Sequence, residues 1–95
     1  MISSISVSEF LKLRNVFIID IRSIEKYNNN HIPNAINVPF NKLIAYHYKY
    51  LDRNNMYYIY CQKGIKSKTA CQILRNLGYK VISIQGGYES WILEK

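Results

Sequence analysis

Short apolar runs alternate along this chain with stretches whose apolar positions recur at helical spacing, and that alternation predicts its elements. Val16-Phe17-Ile18-Ile19, ending at Asp20, is continuously apolar, as in a strand buried on both faces. Residues 35–38, stopped by Pro39, and residues 57–60, closed by Cys61, read as two more strands, and residues 81–84 as another. A short first strand is expected over residues 4–6. The helical signals fall between these runs. Ser8 is placed to cap a helix reaching about Leu13, Ser23 caps a short helix through Tyr27, and Asn41 starts one to about Tyr46. The longest predicted helix, residues 67–77, puts Ala70, Ile73, Leu74 and Leu77 on one face. Gly78 follows where a left-handed C-terminal cap belongs. Gly86-Gly87 reads as a turn before a last helix over residues 88–93. Residues 28–30 and 52–55 are polar turns. Tyr46, Tyr48 and Tyr50 alternate with polar residues at period two, and this segment is read as an irregular connection.

Strand–helix alternation at this spacing implies an α/β domain: five strands in a mainly parallel sheet, with helices on both faces. In such sheets ligands bind beyond the carboxyl ends of the strands. Three of the apolar runs end at Asp20, at Cys61 and at Gln85-Gly86. Asp20-Ile21-Arg22, the loop after Cys61 and the glycine pair are therefore expected on one rim.

Composition adds bounds. Ninety-five residues, 48% hydrophobic and 20% charged, are expected to form one domain over 1–95 with an ordinary core. Two cysteines, Cys61 and Cys71, make no disulfide framework, and no Cys/His pattern has metal-ligand spacing. The first twenty residues lack a signal-length apolar core, and no segment has transmembrane length, so the expectation is a cytoplasmic protein with reduced thiols and no membrane partner. The net charge of +7 raises nucleic acid as a partner. The basic residues are scattered, with no run of five like charges, and this argues against it. Their densest cluster is Lys63, Lys66 and Lys68, at the cysteine loop, where a small anionic substrate is the better explanation.

The chemistry concentrates at residues 61–67, Cys-Gln-Lys-Gly-Ile-Lys-Ser. A thiol that closes a strand and faces backbone N–H groups and a helix N-terminus is placed to act as a nucleophilic thiolate. Cys61 is therefore the candidate nucleophile. Gln62, Lys63, Gly64, Ile65, Lys66 and Ser67 are the candidate substrate-binding residues, with Gly64 letting the loop curl. Asp20 and Arg22 are read as an ion pair supporting the rim, with Arg22 lending positive potential. Cys71, beside Ala70 on the packing face of its helix, is read as inert, and His31 as loop scaffolding.

Five segments in order resemble the rhodanese-like sulfurtransferases: Asp20-Ile21-Arg22, His31 to Pro39, Tyr60 to Ser67, Leu77-Gly78-Tyr79 and Gly86 to Trp91. Asn30 and Asn34 stand where that family usually has glycine, and Lys66 where arginine is frequent. The resemblance implies a five-stranded sheet and transfer of sulfane sulfur through a persulfide on Cys61. It implies no cofactor and no metal. The expected partners are a small anionic donor such as thiosulfate and, in a relay, a protein sulfur donor or acceptor. Cysteine phosphatases of the same architecture need a longer loop and an arginine six positions after the cysteine, where this chain has Ser67. Two more functions compete with turnover of thiosulfate. A persulfide carrier would use the same Cys61, and a non-catalytic binding module of this fold usually lacks the cysteine.

Overall fold

A computed structural model describes residues 3–95. Five strands, β1 (Ser4–Ile5), β2 (Phe17–Asp20), β3 (Ile36–Asn37), β4 (Met56–Tyr60) and β5 (Lys80–Ile84), form one sheet in the order β1-β5-β4-β2-β3. Every pairing is parallel. Period-two alternation divides the core between the two faces. Ile19, Tyr57, Ile59, Cys61 and Val81 pack with Leu43, Ala70, Cys71 and Leu74. Ile18, Tyr58, Tyr60, Ile82 and Ile84 pack with Val7, Phe10, Tyr88 and Trp91. Helices α3 (Phe40–Ala45) and α5 (Ile65–Asn76) thus cover one face, and α1 (Val7–Phe10) and α6 (Gly87–Glu94) the other. Helix α2 (Ile24–Asn29) follows β2, and a helical turn, α4 (His47–Tyr50), follows α3.

Several boundaries differ from the sequence reading, each for a local reason. Helix α1 is capped by Ser6 and not by Ser8. The Ser6 side chain accepts from the Glu9 N–H at 3.2 Å, and its hydroxyl donates to the Glu9 carboxylate at 3.1 Å. That Ser-x-x-Glu spacing fixes the start of the helix, which runs only to Phe10, well short of Leu13. Helix α3 begins at Phe40 after Pro39, without a side-chain cap. The tyrosine segment forms α4, which leaves Tyr46 and Tyr48 exposed and turns Tyr50 towards the core.

The largest difference lies in α5. The helix starts at Ile65, two residues earlier than expected, from Gly64 in the left-handed conformation (φ 92°). Its buried positions are Ser67, Ala70, Cys71 and Leu74, an i, i+3, i+4, i+7 set that begins on a serine, while Leu77 is 40% exposed. The expected Asn-for-Gly substitutions divide. Asn34 adopts the left-handed region (φ 72°), which asparagine tolerates, whereas Asn30 is extended. Among the described residues no helix is long and apolar enough to cross a membrane.

Candidate active site

The carboxyl ends of β2 and β4 meet the cysteine loop and the start of α6. The Ile21 N–H donates to the Tyr60 carbonyl at 3.0 Å, continuing the ladder past both strands. Beyond it, the first amides of α6 hold the loop: Tyr88 N–H donates to Cys61 O (2.9 Å) and Glu89 N–H to Gln62 O (3.1 Å). Gly64 lies directly on the glycine pair, so that a Cβ there would sit 2.7 Å from the Gly86 nitrogen. Gly87 is equally constrained, since its Cβ would collide with the Cys61 carbonyl. The rim expected from the three run ends is thus one contiguous surface.

Cys61 is buried, with its sulfur turned into the loop. Sγ accepts from Gly64 N–H at 3.1 Å and from Ser67 N–H at 3.2 Å. Ser67 is the third residue of α5, so the sulfur occupies the place of an N-cap acceptor, which Gly64 has no side chain to fill. The helix's positive end and two amides therefore converge on one sulfur, an arrangement that favours a negative charge there.

In front of the sulfur opens a pocket of about 450 Å³, lined by Ile21, Arg22, Ser23, Lys26, Gln62, Lys63, Ile65 and Lys66 beside Cys61. Lys63 and Lys66 are exposed at its edge, and Lys68, also in the basic cluster, is not among the lining residues. Lys26 is an addition that the sequence reading missed. It belongs to α2, and only the packing of that helix beside the loop brings it to the thiol.

Arg22 and Asp20 form the expected ion pair, both buried, at 2.8 Å. The guanidinium is a hub as well. Nη2 donates to the Asn30 carbonyl at 2.7 Å and Nη1 to Gln62 Oε1 at 3.1 Å, while the guanidinium lies 4.1 Å from the centre of the Tyr88 ring. Burial by itself would lower the Arg22 pKa, but the hydrogen bond and charge of Asp20 outweigh it and raise it above its ordinary value. Tyr60 donates to Asp20 Oδ2 at 2.6 Å and accepts from Ile32 N–H. Burial, then that carboxylate, pushes its hydroxyl far above the ordinary tyrosine range, so it acts as a fixed donor. Gln62 has its amide committed, accepting from Arg22 and donating to Glu89 at 3.3 Å. His31 stacks on Tyr27 and bonds its carbonyl through Nδ1 at 2.9 Å, away from the pocket. Cys71 is fully buried, and burial pushes its thiol up to about 12.

Residues 6–94 match the model of the rhodanese-like domain. The chain belongs to the rhodanese-like family. A curated relative of this rhodanese-like chain is the thiosulfate sulfurtransferase GlpE of Coxiella burnetii. The two are 36% identical over 91 residues, spanning 95% of this chain and 84% of the relative. Among solved structures, a rhodanese-related protein from Thermoplasma volcanium superposes with a TM-score of 0.87 at 29% identity, covering 97% of this chain and 92% of the other. The human single-domain sulfurtransferase superposes with a TM-score of 0.84 at 25% identity, covering 97% and 96%. The fold expected from the alternation of strands and helices is therefore the rhodanese fold.

Proposed function

We propose that this rhodanese-like protein moves sulfane sulfur from a small anionic donor of the thiosulfate type to a thiophilic acceptor through a persulfide on Cys61. The observation that carries this reading is the sulfur itself. Two backbone amides and a helix N-terminus are aimed at it, and it faces a pocket whose charged lining residues, Arg22, Lys26, Lys63 and Lys66, are all cationic. The likeness to a thiosulfate sulfurtransferase, over 95% of this chain and 84% of the relative, supports the choice of donor.

In the first step the Cys61 thiolate attacks the outer sulfur of thiosulfate. A new S–S bond forms, the old one breaks, and sulfite leaves with the electron pair. The lysines offset the repulsion between a thiolate and a dianion. In the second step an acceptor such as cyanide or a thiolate attacks the outer persulfide sulfur and restores the Cys61 thiolate. Neither step needs a proton donor, because sulfite leaves as a stable anion. Lys63 and Lys66 act as the donor's counter-charges, Gly64 and Ser67 as amide donors, and Asp20, Arg22 and Gln62 as the brace behind the loop.

Intact-protein mass spectrometry of reduced protein after incubation with thiosulfate tests this. The expected result is a gain of one sulfur atom, absent in Cys61→Ser and discharged by cyanide with release of thiocyanate. Loading that persists in Cys61→Ser would overturn the assignment of the nucleophile, and no loading from thiosulfate would overturn the donor.

A carrier in a protein relay is the second reading, favoured by one observation. Ile65, at the pocket mouth, is 71% exposed, a large apolar side chain in the midst of lysines. A partner's surface would cover it. Loading from a protein persulfide but not from thiosulfate would select the carrier.

A further inference from the structure

Among the described residues, tyrosines and cysteines aside, four polar or charged side chains are buried, and they form two pairs. Asp20 and Arg22 are the ion pair already described. Ser67 and Ser83 are the other, with Oγ atoms 2.8 Å apart. Ser83 has no role in the reading above, and its position is unexpected. It interrupts an apolar strand, β5, between the buried Ile82 and Ile84. Its backbone pairs with Ile59 on β4, and the strand alternation turns its side chain, like that of Val81, towards α5. Alanine would fill this place without bringing a hydroxyl into the core, and a buried hydroxyl is costly unless it is hydrogen-bonded. Ser83 has one side-chain hydrogen bond, to Ser67.

Ser67 is the link to the chemistry. Its Oγ lies 3.5 Å from Cys61 Sγ and 3.3 Å from the Gly64 carbonyl. A hydroxyl carries one proton, so Ser67 donates to one neighbour at a time and accepts from the others. With Cys61 protonated, the S–H donates to Ser67 Oγ and the Ser67 O–H donates to Gly64 O. Once the thiol proton has left through the pocket, the sulfur becomes an acceptor, and the Ser67 O–H is placed to rotate onto it. That rotation is useful only if Ser67 does not spend its proton on Ser83. With the single Ser67 proton given to the Gly64 carbonyl or to the sulfur, the pair runs from Ser83 to Ser67, and a donor on Ser67 Oγ also polarises its O–H.

We propose that Ser83 is a positioning residue for the nucleophile: its hydroxyl donates to Ser67 Oγ and so directs the Ser67 O–H onto the Cys61 thiolate. The sulfur then has three donors, the Gly64 and Ser67 amides and the Ser67 hydroxyl. The inference deepens the reading of Cys61 as the nucleophile and rests on it. It does not depend on which sulfur donor the protein uses.

The test is the pH dependence of Cys61 alkylation by iodoacetamide in the full chain, for wild type, Ser83→Ala, Ser67→Ala and the double variant. Cys71, fully buried, stays silent. No sulfur donor takes part, so failure here is distinct from failure of thiosulfate to load the protein. In Ser83→Ala the alkylation midpoint should move up by roughly half to one pH unit, and Ser67→Ala should move it at least as far. In the double variant the loss of Ser83 should add nothing, because it acts through Ser67. Ser83→Thr, which keeps the hydroxyl on a strand, should retain the wild-type profile and excludes a mere packing defect. A Ser83→Ala profile superimposed on wild type would overturn the proposal, and so would a Ser83 effect undiminished in the Ser67→Ala background.

Discussion

The two cysteines are chemically alike in sequence and opposite in environment. Cys61 sits under two amides at a pocket, whereas Cys71 is sealed between α5 and the sheet. Burial is the main cause that pushes the Cys71 thiol up to about 12, with Arg75 opposing and Cys61 adding to it. The consequence for stability has a definite sign. In the unfolded chain this thiol ionises near its ordinary value, while in the folded protein it stays protonated, so between about pH 9 and 12 the unfolded state binds fewer protons and stability falls as pH rises. Chemical denaturation of wild type and Cys71→Ala from pH 7 to 10 should show wild type losing about 1.4 kcal/mol more than the variant by pH 10. Both proteins also lose stability through Tyr60, whose raised hydroxyl acts in the same direction at higher pH. Sulfur transfer by Cys71→Ala should be close to wild type.

Lys66 and Lys26 reach the same pocket from different elements. Replacing either by alanine should lower kcat/KM for thiosulfate by on the order of threefold to tenfold, with a smaller loss for an uncharged sulfur donor. Steady-state comparison of the two donors checks this. An equal loss with both would remove the lysines from anion binding.

At the scale of elements, the loop is held by backbone contact more than by side chains. Gly64 combines a left-handed φ with direct apposition to Gly86. Gly64→Ala should therefore cost about 1–3 kcal/mol of stability and lower sulfur loading in the fraction that folds, since the Gly64 and Ser67 amides can no longer meet at the sulfur. Thermal melting together with persulfide loading measures both. The same element shows what was legible in the sequence. The helix after Cys61 was plain from Ala70 and Leu74, and Gly78, at φ 94°, lies in the left-handed region where its C-terminal cap was expected. Its start was not legible, because the cap that normally announces a helix is here a cysteine sulfur three residues before Gly64. The inward face was misjudged by the inclusion of Ile73 and Leu77, because apolar counting passes over Ser67, which is buried for its hydrogen bonds. At α1 the error was different: Ser8, the expected cap, lies inside the helix, and Ser6, three residues before Glu9, is the cap.

Over the whole molecule, charge is unevenly used. The protein carries a net charge of +7, and the pocket contributes four cationic side chains to a field that attracts anions. The KM for thiosulfate should rise as ionic strength increases from 0.01 to 0.15 M, over which the screening length falls from about 30 to about 8 Å. Discharge of the loaded protein by a neutral thiol should change much less, and stopped-flow or steady-state assays at graded salt will separate the two.

By itself the sequence determined the strand–helix alternation, the parallel sheet, the rim where three runs end, the cysteine loop and the Asp20–Arg22 pair. All of these follow from hydrophobic period, turn residues and motifs a few positions long, which act locally along the chain. Only the tertiary structure decided that Lys26 joins the pocket, that Arg22 reaches Gln62 forty positions away, and that Ser83 meets Ser67 behind the sulfur. Those contacts depend on the strand order β1-β5-β4-β2-β3, which sets β5 and β2 on either side of β4. No local period encodes that neighbourhood; it arises when the two apolar faces of the sheet are buried together.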